Sequence, residues 1–292
     1  MELLNKVQEA IQSYPQIDAA SVAKNTAEIV EKAAENAQKD VYKTLLSCLD
    51  LTTLSVSDTE EKVKAMVNKV NQFQSNYPDL PNVGAICVYP AMVPTVRQNL
   101  KVQGVDIASV AGGFPAAQTF VEVKVAETSL AVMEGADEID MVLGVGEFLS
   151  GNYDKVFEDI TEIKAACGEA KLKVILETGA LEKPERIYTA AIIALEAGAD
   201  FIKTSTGKEV SAATVEAAYV MTLAIKAFEK KSGKKIGFKP AGGISTTEEA
   251  VKYYTIVKEN LGEAWLNNGL FRIGASRLAN DLMTSLGEKA YF

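Results

Sequence analysis

The chain contains no histidine among its 292 residues. Without an imidazole, nucleophiles that depend on a Ser-His or Cys-His pair are excluded, and the most common type of zinc ligand is missing. Any chemistry that this protein performs must therefore come from lysine, carboxylate or tyrosine side chains, or from a bound cofactor.

Cysteine is scarce, and membrane-spanning and targeting segments are not recognisable. Cys48, Cys87 and Cys167 are odd in number and widely spaced, which favours buried free thiols in a reducing cytosol over a disulfide framework. No apolar run has the length that is required to cross a bilayer. The first residues lack a charged leader followed by an apolar block, so secretion is disfavoured. We therefore expect a cytoplasmic protein with no membrane partner.

Basic residues are outnumbered by acidic ones. The chain has 30 Lys and Arg against 39 Asp and Glu, which gives a formal net charge of -9. This balance disfavours non-specific attraction to nucleic acid or to an anionic membrane. A nucleic-acid partner is therefore not expected, and an anionic small-molecule substrate would need a local basic pocket.

From residue 46 onwards, short apolar runs alternate with polar or glycine-rich turns and longer amphipathic stretches. The predicted strands are residues 46–50, 83–89, 107–111, 138–143, 172–177, 201–204, 236–239 and 271–274. The predicted helices are residues 58–73, 94–103, 118–134, 153–168, 183–196, 212–230 and 247–261. This alternation predicts an α/β fold, a single closed (β/α)8 TIM barrel. A G-x-G-x-x-G fingerprint does not follow the first strand, which weakens a dinucleotide-binding alternative.

The first 45 residues have helical spacing of apolar positions, for example Val7 and Ile11, and Pro15 interrupts the pattern. We predict one or two extra N-terminal helices in residues 1–45. They are expected to pack on the outside of a barrel domain that covers residues 46–292.

Polar residues close several of the apolar runs. In a barrel of this type the active site lies at the C-terminal ends of the strands, so functional side chains are expected there. The residues selected by this rule are Asp50, Asp140, Glu177, Lys203 and Lys239, and Lys173 lies near the start of the fifth strand. Glu177 is interpreted as a structural hydrogen-bonding residue near the barrel mouth.

Lys203 and Lys239 belong to adjacent predicted strands. Burial of an ammonium ion is costly, and repulsion between two ammonium groups would depress the pKa of one of them. A neutral amine is what the nucleophile of a Schiff-base reaction must be. Lysines that only reach the barrel mouth or pair with a carboxylate are the alternative. Two lysines near Asp50 and Asp140 in a chain without histidine favour catalysis.

Asp140 shares one strand face with Glu138, because side chains alternate along a strand. An inward carboxylate beside the lysine pair could shuttle the protons that imine formation requires. A purely structural ion pair with a lysine is an equally good interpretation of this residue alone.

Three glycine-rich segments follow late strands, at residues 205–208, 242–246 and 274–277. Glycine lets backbone N–H groups approach an anion, and barrels often bind phosphate in the loops after the seventh and eighth strands. Ser276, Lys208 and Arg277 could add donors or charge. Ordinary turns are the alternative, but three such turns on neighbouring strands favour a phosphate site.

These residues together resemble the deoxyribose-phosphate aldolase family, whose class I members use no metal. The resemblance runs from about residue 46 to about residue 286. It depends on the segments DLTTL (50–54), AICVYP (85–90), GADEID (135–140), LKVILETG (172–179), GADFIKTSTG (198–207), GFKPAGG (237–243) and FRIGAS (271–276). Each segment alone has modest specificity, but their combination in this order is highly specific.

The resemblance implies a TIM-barrel aldolase that interconverts 2-deoxy-D-ribose 5-phosphate with D-glyceraldehyde 3-phosphate and acetaldehyde, in deoxyribose phosphate catabolism, without metal or other cofactor. It implies that Lys203 forms the imine, that Lys239 adjusts its proton affinity, and that Asp140, Lys173 and a bound water relay protons. The residues implied to bind the substrate are Asp50, Thr52, Gly207, Gly242, Gly243, Gly274 and Ser276. The partners implied are the sugar phosphate and acetaldehyde, and a homo-oligomer is expected.

The chain departs from the family pattern in its phosphate-binding segments. Ser245 stands where close relatives often carry arginine, and Arg277 stands where many carry a second serine. Our hypothesis is that Arg277 replaces the missing charge. Tyr291 near the C-terminus could fold over the site, as a tyrosine does in some relatives, or belong to a frayed tail.

Two other functions compete with this interpretation. A Schiff-base barrel aldolase for another sugar phosphate would share the fold and the lysine, so only a substrate panel separates the two. A non-catalytic barrel that binds a phosphate ligand would form no imine, and fold alone does not decide between them.

Overall fold

The computed structural model describes residues 2–209 and 213–292. The strands are β1 (Leu49–Thr52), β2 (Ala85–Val88), β3 (Asp106–Ala111), β4 (Glu138–Val142), β5 (Lys171–Ile175), β6 (Phe201–Lys203), β7 (Gly237–Lys239) and β8 (Ile273–Ala275). All neighbouring strands pair in parallel, in the order β7-β6-β5-β4-β3-β2-β1-β8. Parallel bridges between Phe238 and Phe271 and between Ala241 and Gly274 bring β7 next to β8 and close the barrel. The predicted (β/α)8 fold is therefore confirmed.

Helices surround the strands. They are α1 (Glu2–Gln12), α2 (Ala19–Glu31), α3 (Lys39–Ser47), α4 (Glu60–Asn76), α5 (Val93–Asn99), α6 (Val121–Met133), α7 (Val145–Leu149), α8 (Tyr153–Cys167), α9 (Thr178–Leu181), α10 (Pro184–Glu196), α11 (Val215–Ser232), α12 (Thr247–Leu261) and α13 (Leu278–Leu286). The predicted helix at residues 247–261 has these bounds in the structure, and a capping box between Thr246 and Glu249 explains where it begins. The first residue of the predicted helix at 212–230, Ala212, lies outside the described residues.

Several predicted boundaries were wrong. The first strand begins at Leu49 and not at residue 46, because Leu45 and Leu46 belong to α3 and are buried there. A short apolar run at the end of a buried helix has the same composition as a buried strand, so the two cannot be separated by pattern. Likewise, α5 ends at Asn99 and not at residue 103.

Three α-helices and a 3-10 turn (Lys32–Asn36) precede β1, instead of one or two helices. Pro15 lies between α1 and α2. The segment is attached to the barrel helices by polar contacts as well as apolar packing: Asn36 Nδ2 donates to Thr255 Oγ1 at 3.0 Å, and Lys258 Nζ donates to Asn36 Oδ1 at 3.0 Å. The division at residue 45 stays a prediction.

Strand β8 approaches β7 closely at Gly274. A Cβ at this position would lie 2.8 Å from the Cβ of Ala241 and 3.2 Å from Cε of Lys239. Only glycine therefore allows β8 to approach β7 at this level without displacing Lys239. Within the described part of the chain, no helix is long and apolar enough to cross a membrane.

Candidate active site

A cavity of about 820 Å³ opens at the C-terminal ends of β1, β6, β7 and β8. The predicted site residues that line it are Thr52, Lys203, Gly207, Gly242, Gly243, Gly274 and Ser276. The structure thus brings together residues that are more than 200 positions apart in the chain. Asp50, Asp140, Lys173 and Lys239 are fully buried beneath this cavity.

Lys203, at the end of β6, is the lysine of this group that reaches the cavity, and only 3% of it is exposed. Its Nζ donates to Asp140 Oδ2 at 2.7 Å, and Lys239 Nζ donates to the same oxygen at 2.7 Å. One carboxylate oxygen therefore lies between the two lysines that the sequence placed on adjacent strands.

A second layer of charges lies deeper in the barrel. Lys173 bridges Glu138 and Asp140, with its Nζ 3.1 Å from Asp140 Oδ1 and 3.7 Å from Asp50 Oδ2. Lys239 also donates to Asp50. Glu138 and Asp140 therefore share one inward face of β4, as strand alternation predicts.

Arg272 completes this layer and was not recognised as a site residue from the sequence. Its Nη1 donates to Asp50 Oδ1 at 2.7 Å, and its Nη2 donates to Glu138 Oε1 and to Asp106 Oδ2 at 3.0 Å. The side chain is 2% exposed. A signal was present, because an arginine between Phe271 and Ile273 in an apolar run implies a buried cation that needs carboxylate partners.

The carboxylates control the protonation of this network. Burial by itself raises the pKa of Asp140, but Lys173, Lys203 and Lys239 outweigh it and hold that pKa well below its ordinary value. Burial acts to lower the pKa of Lys239, yet Asp140 and Asp50 raise it above its ordinary value. Repulsion between the ammonium groups of Lys203 and Lys239 would lower the pKa of Lys239. The pKa is raised instead, because Asp140 and Asp50 both contact the Lys239 ammonium group.

The buried charges of the barrel interior are paired with one another. The buried carboxylates are Asp50, Glu138 and Asp140, the buried cations are Lys173, Lys203, Lys239 and Arg272, and the partly exposed Asp106 is a further carboxylate on Arg272. Lys203 contacts one carboxylate, whereas Lys239 contacts two and Lys173 contacts three. Lys203 is therefore the buried lysine with the fewest carboxylate contacts in this network.

Glycine-rich loops form part of the cavity wall. Gly242 and Gly243, with φ of 95° and 82°, follow β7, and Gly207 follows β6. Lys208 and Arg277 also line this wall, and α13 begins directly after Arg277. Backbone N–H groups, a helix N-terminus and two basic side chains make a suitable surface for a phosphate group.

Glu177 shapes the loop after β6. It is buried and has a left-handed φ of 54°, which is uncommon for a residue with a side chain. Its carboxylate accepts from the backbone N–H of Thr206 at 3.3 Å and from the hydroxyl of that residue, which in turn accepts from Lys208 N at 3.1 Å. Burial raises the pKa of Glu177 despite these hydrogen bonds from Thr206.

The C-terminal residues are held at the side of the cavity. Asn280 Oδ1 accepts from the backbone N–H groups of Tyr291 and Phe292 at 2.7 and 2.8 Å. The Tyr291 hydroxyl donates to Lys69 O at 3.0 Å on α4, and Phe292 lines the cavity. Tyr291 therefore lies against α4 in this structure and not over Lys203.

Comparison with known proteins places the chain among aldolases. The sequence profile described as DeoC/LacD family aldolase matches residues 44–269. The deoxyribose-phosphate aldolases of Mus musculus and Homo sapiens are each 44% identical to this chain over 249 residues, which are 80% of this chain and 77% of those proteins.

Solved structures of other proteins have a similar fold. The tetrameric deoxyribose phosphate aldolase of Aeropyrum pernix has a TM-score of 0.68 and 25% identity to this chain, and the match covers 89% of this chain and 97% of that one. A crystal structure from Toxoplasma gondii has a TM-score of 0.76 at 23% identity, covers 88% of this chain and 97% of that one, and supports the fold.

Proposed function

Because this chain belongs to the DeoC/LacD family of aldolases, as the resemblance indicated, we propose that Lys203 is its Schiff-base lysine and that its substrate is 2-deoxy-D-ribose 5-phosphate. The protein is a carbon–carbon lyase of the class I type, and the reaction reversibly yields D-glyceraldehyde 3-phosphate and acetaldehyde. The observation that carries the site assignment is that Lys203, alone among the buried lysines of the described barrel interior, opens onto the cavity. A non-catalytic phosphate-binding barrel does not fit this family.

The chemistry follows from this arrangement. The Lys203 amine adds to the aldehyde carbon of the open-chain sugar, and loss of water from the carbinolamine gives a protonated imine. Removal of the proton from the C3 hydroxyl breaks the C2–C3 bond, and its electron pair moves into the imine to form an enamine while the C3 aldehyde leaves. Protonation of the enamine at C2 and addition of water release acetaldehyde and regenerate the amine.

Asp140 is the group placed to hold and return protons in these steps. Its Oδ2 already contacts Lys203, so it stabilises the protonated imine that forms on that nitrogen. Lys239 and Lys173 act through Asp140: they keep it ionised and fix its position. Asp50 lies beneath the cavity floor on Lys239 and Arg272, so its contribution to substrate positioning is through these cations.

The experiment is borohydride reduction in the presence of acetaldehyde, followed by peptide mapping, together with an assay of acetaldehyde release from a panel of sugar phosphates. A reduced two-carbon adduct on Lys203 and a preference for 2-deoxyribose 5-phosphate are expected. An adduct combined with preference for another sugar phosphate would support the competing Schiff-base aldolase. A folded protein without any adduct would overturn the imine mechanism.

Arg277 is proposed to supply charge to the phosphate site. It lines the cavity, whereas the backbone N–H of Ser245 is engaged by Glu249. We expect Arg277→Ala to raise the Michaelis constant for the phosphorylated sugar about fivefold, as suits an exposed ionic contact. The Michaelis constant for 2-deoxyribose without phosphate should not change. Arg186→Ala, on α10 away from this cavity, is the control, and an unchanged Michaelis constant in Arg277→Ala would contradict the hypothesis.

Glu177 is expected to act on phosphate binding through the loop after β6. Glu177→Gln weakens the hydrogen bonds from Thr206, and we expect the Michaelis constant for the phosphorylated sugar to rise about tenfold, since one charge-assisted hydrogen bond is worth about 1.5–3 kcal/mol. Turnover of unphosphorylated 2-deoxyribose should be preserved. Glu182→Gln is a matched control, because Glu182 also has a left-handed φ, of 60°, but is exposed. Equal losses on both substrates would indicate a general structural defect instead.

We also propose an oligomeric state, a cellular location and a metabolic role for this protein. A homo-oligomer is proposed, with the support of the tetrameric deoxyribose phosphate aldolase of Aeropyrum pernix. A cytoplasmic location is proposed because Cys48, Cys87 and Cys167 are buried and unbonded. A role in deoxyribose phosphate catabolism follows from the cleavage direction of the proposed reaction.

A further inference from the structure

Arg272, the residue before β8, contacts side chains of three other strands from inside the barrel. Its guanidinium donates to Asp50 on β1 at 2.7 Å, and to Glu138 on β4 and Asp106 on β3 at 3.0 Å. Its Nε donates to the backbone oxygen of Asn268. The side chain is 2% exposed, so these groups and not water satisfy its charge and its donors.

A series of ionic contacts leads from Arg272 to the cavity. Asp50 accepts from Arg272 through Oδ1 and from Lys239 through Oδ2. Lys239 donates in turn to Asp140 Oδ2 at 2.7 Å, and Lys203 donates to the same oxygen at 2.7 Å. Asp50 is therefore held from both sides, by Arg272 on one oxygen and by Lys239 on the other.

Of the three carboxylates on Arg272, Asp50 depends on it most. Lys171 Nζ provides a second cation for Asp106 at 3.3 Å and for Glu138 at 3.2 Å. Within the described part of the chain, Arg272 is the one donor to Asp50 Oδ1. Loss of the guanidinium would leave that buried oxygen without a partner, which is costly, so the position of Asp50 depends on Arg272.

The charge of Arg272 also acts on this series of contacts. The other titratable groups that face it are Cys48, Cys87, Lys171, Lys173 and Glu177. Burial raises the pKa of Cys48 to about 12 and also raises that of Cys87, so both thiols are uncharged at neutral pH. A positive charge disfavours a further proton on neighbouring amines, so the buried lysines would hold their protons to a higher pH without Arg272.

We propose that Arg272 is a positioning residue for imine formation, which acts on Lys203 through Asp50, Lys239 and Asp140. It fixes Asp50 beneath the cavity, and its positive charge favours the neutral amine that a Schiff-base nucleophile requires. Arg272 is not among the described residues that line the cavity, so it does not contact the substrate. The inference rests on the proposed role of Lys203.

The test is the pH dependence of acetylation of Lys203 by acetic anhydride in the full chain, followed by peptide mapping. Only a neutral amine reacts, and the measurement needs no turnover of substrate. Arg272→Met is expected to move the midpoint for Lys203 to higher pH by about one unit, the size that suits loss of one nearby charge in a protein interior. A midpoint equal to that of the wild type would overturn the proposal.

Turnover separates this role from a merely structural one. A midpoint that is higher by about one unit leaves about tenfold less neutral amine, so turnover of 2-deoxyribose 5-phosphate by Arg272→Met should fall about tenfold at neutral pH and recover at higher pH. The Michaelis constant should change less than about twofold, as suits a residue that does not contact the substrate. A loss of turnover that is the same at every pH would indicate a structural defect and contradict the proposal.

Arg272→Lys keeps the charge and provides the test if the methionine variant does not fold. One ammonium group cannot contact carboxylates on three strands together, so we expect a smaller shift of the midpoint in the same direction. A wild-type midpoint in Arg272→Lys would contradict the role of the guanidinium. Lys171→Met is the matched control, because Lys171 contacts Asp106 and Glu138 but not Asp50, and its midpoint should stay at the wild-type value. Equal shifts in Lys171→Met and Arg272→Met would exclude the path through Asp50.

Acetaldehyde and borohydride distinguish failure of this inference from failure of the proposed function. An unshifted midpoint in Arg272→Met, when the wild-type protein forms the reduced adduct on Lys203, would overturn the role of Arg272 alone. A wild-type protein that forms no adduct would overturn the Schiff-base function and the role of Arg272 in imine formation together.

Discussion

Replacing Lys203 by methionine is expected to reduce cleavage of 2-deoxyribose 5-phosphate by about 10⁴-fold or more, because no other amine of the described interior network reaches the cavity. The same substitution should abolish the adduct that borohydride traps with acetaldehyde. The measurements are acetaldehyde release at saturating substrate and the intact mass of the reduced protein.

The Lys203→Met protein should remain folded. Lys203 contacts one carboxylate, Asp140, which would keep Lys173 and Lys239 as partners, so the substitution leaves no buried carboxylate without a cation. We expect the free energy of unfolding to fall by less than about 2 kcal/mol. Lys164→Met, which removes a partly exposed lysine paired with Asp200, is the control for loss of a lysine and should keep its activity. Retention of the adduct in Lys203→Met would show that another amine forms the imine.

Replacing Asp140 by asparagine is expected to damage both catalysis and stability. Asp140 is the shared partner of Lys173, Lys203 and Lys239, and its neutral substitute can neither hold the proton nor compensate these charges. We expect turnover to fall by about 10²–10⁴-fold, the range for loss of a general acid–base group. The free energy of unfolding should fall by about 3–5 kcal/mol, as when one partner of a buried ion pair is removed. Steady-state kinetics and urea unfolding at neutral pH measure the two effects.

The acid limb of stability gives an independent check on the same residue. The pKa of Asp140 is lower in the folded protein than in the unfolded chain, so its contribution is complete above the unfolded value of about 3.9 and is lost as the pH falls below it. The wild-type protein should therefore lose more stability between pH 6 and pH 3 than Asp140→Asn does. Equal losses in the two proteins would mean that Asp140 does not titrate as the structure implies.

Asp159→Asn is the matched control for a buried carboxylate. Asp159 pairs with the buried Lys124 at 2.7 Å, outside the cavity. Its substitution should lower stability without the loss of turnover that Asp140→Asn causes. If both variants lost turnover to the same extent, the effect of Asp140→Asn would come from destabilisation and not from its place beside Lys203.

Much of the site could be predicted from local pattern. Lys203, Lys239 and Asp140 were found because each lies at or near the end of an apolar run that is long enough for a strand. Parallel strands with helical connections bring those ends to one mouth. The glycine-rich turns were found for a related reason, since backbone N–H groups can approach an anion only where side chains are absent.

Local sequence pattern did not predict the role of Arg272 or the start of β1. Arg272 was included in a predicted strand without a role, because its partners Asp50, Asp106 and Glu138 lie 222, 166 and 134 residues away along the chain. The start of β1 was misplaced because α3 and β1 are both apolar and adjoin each other. Neither property can be read from a window of neighbouring residues.

The barrel, its dependence on lysine chemistry and the end where that chemistry lies can all be inferred from local pattern. Alternation of strands and helices, the absence of histidine and the position of each polar residue in its run are all properties of the linear chain. The folded barrel was needed to show that Asp140 lies between Lys203 and Lys239, that the pKa of Lys239 is raised, and that Arg272 contacts Asp50. Electrostatic energies depend on the distances between charges, and these distances are set by strand register and by packing between segments far apart in the chain.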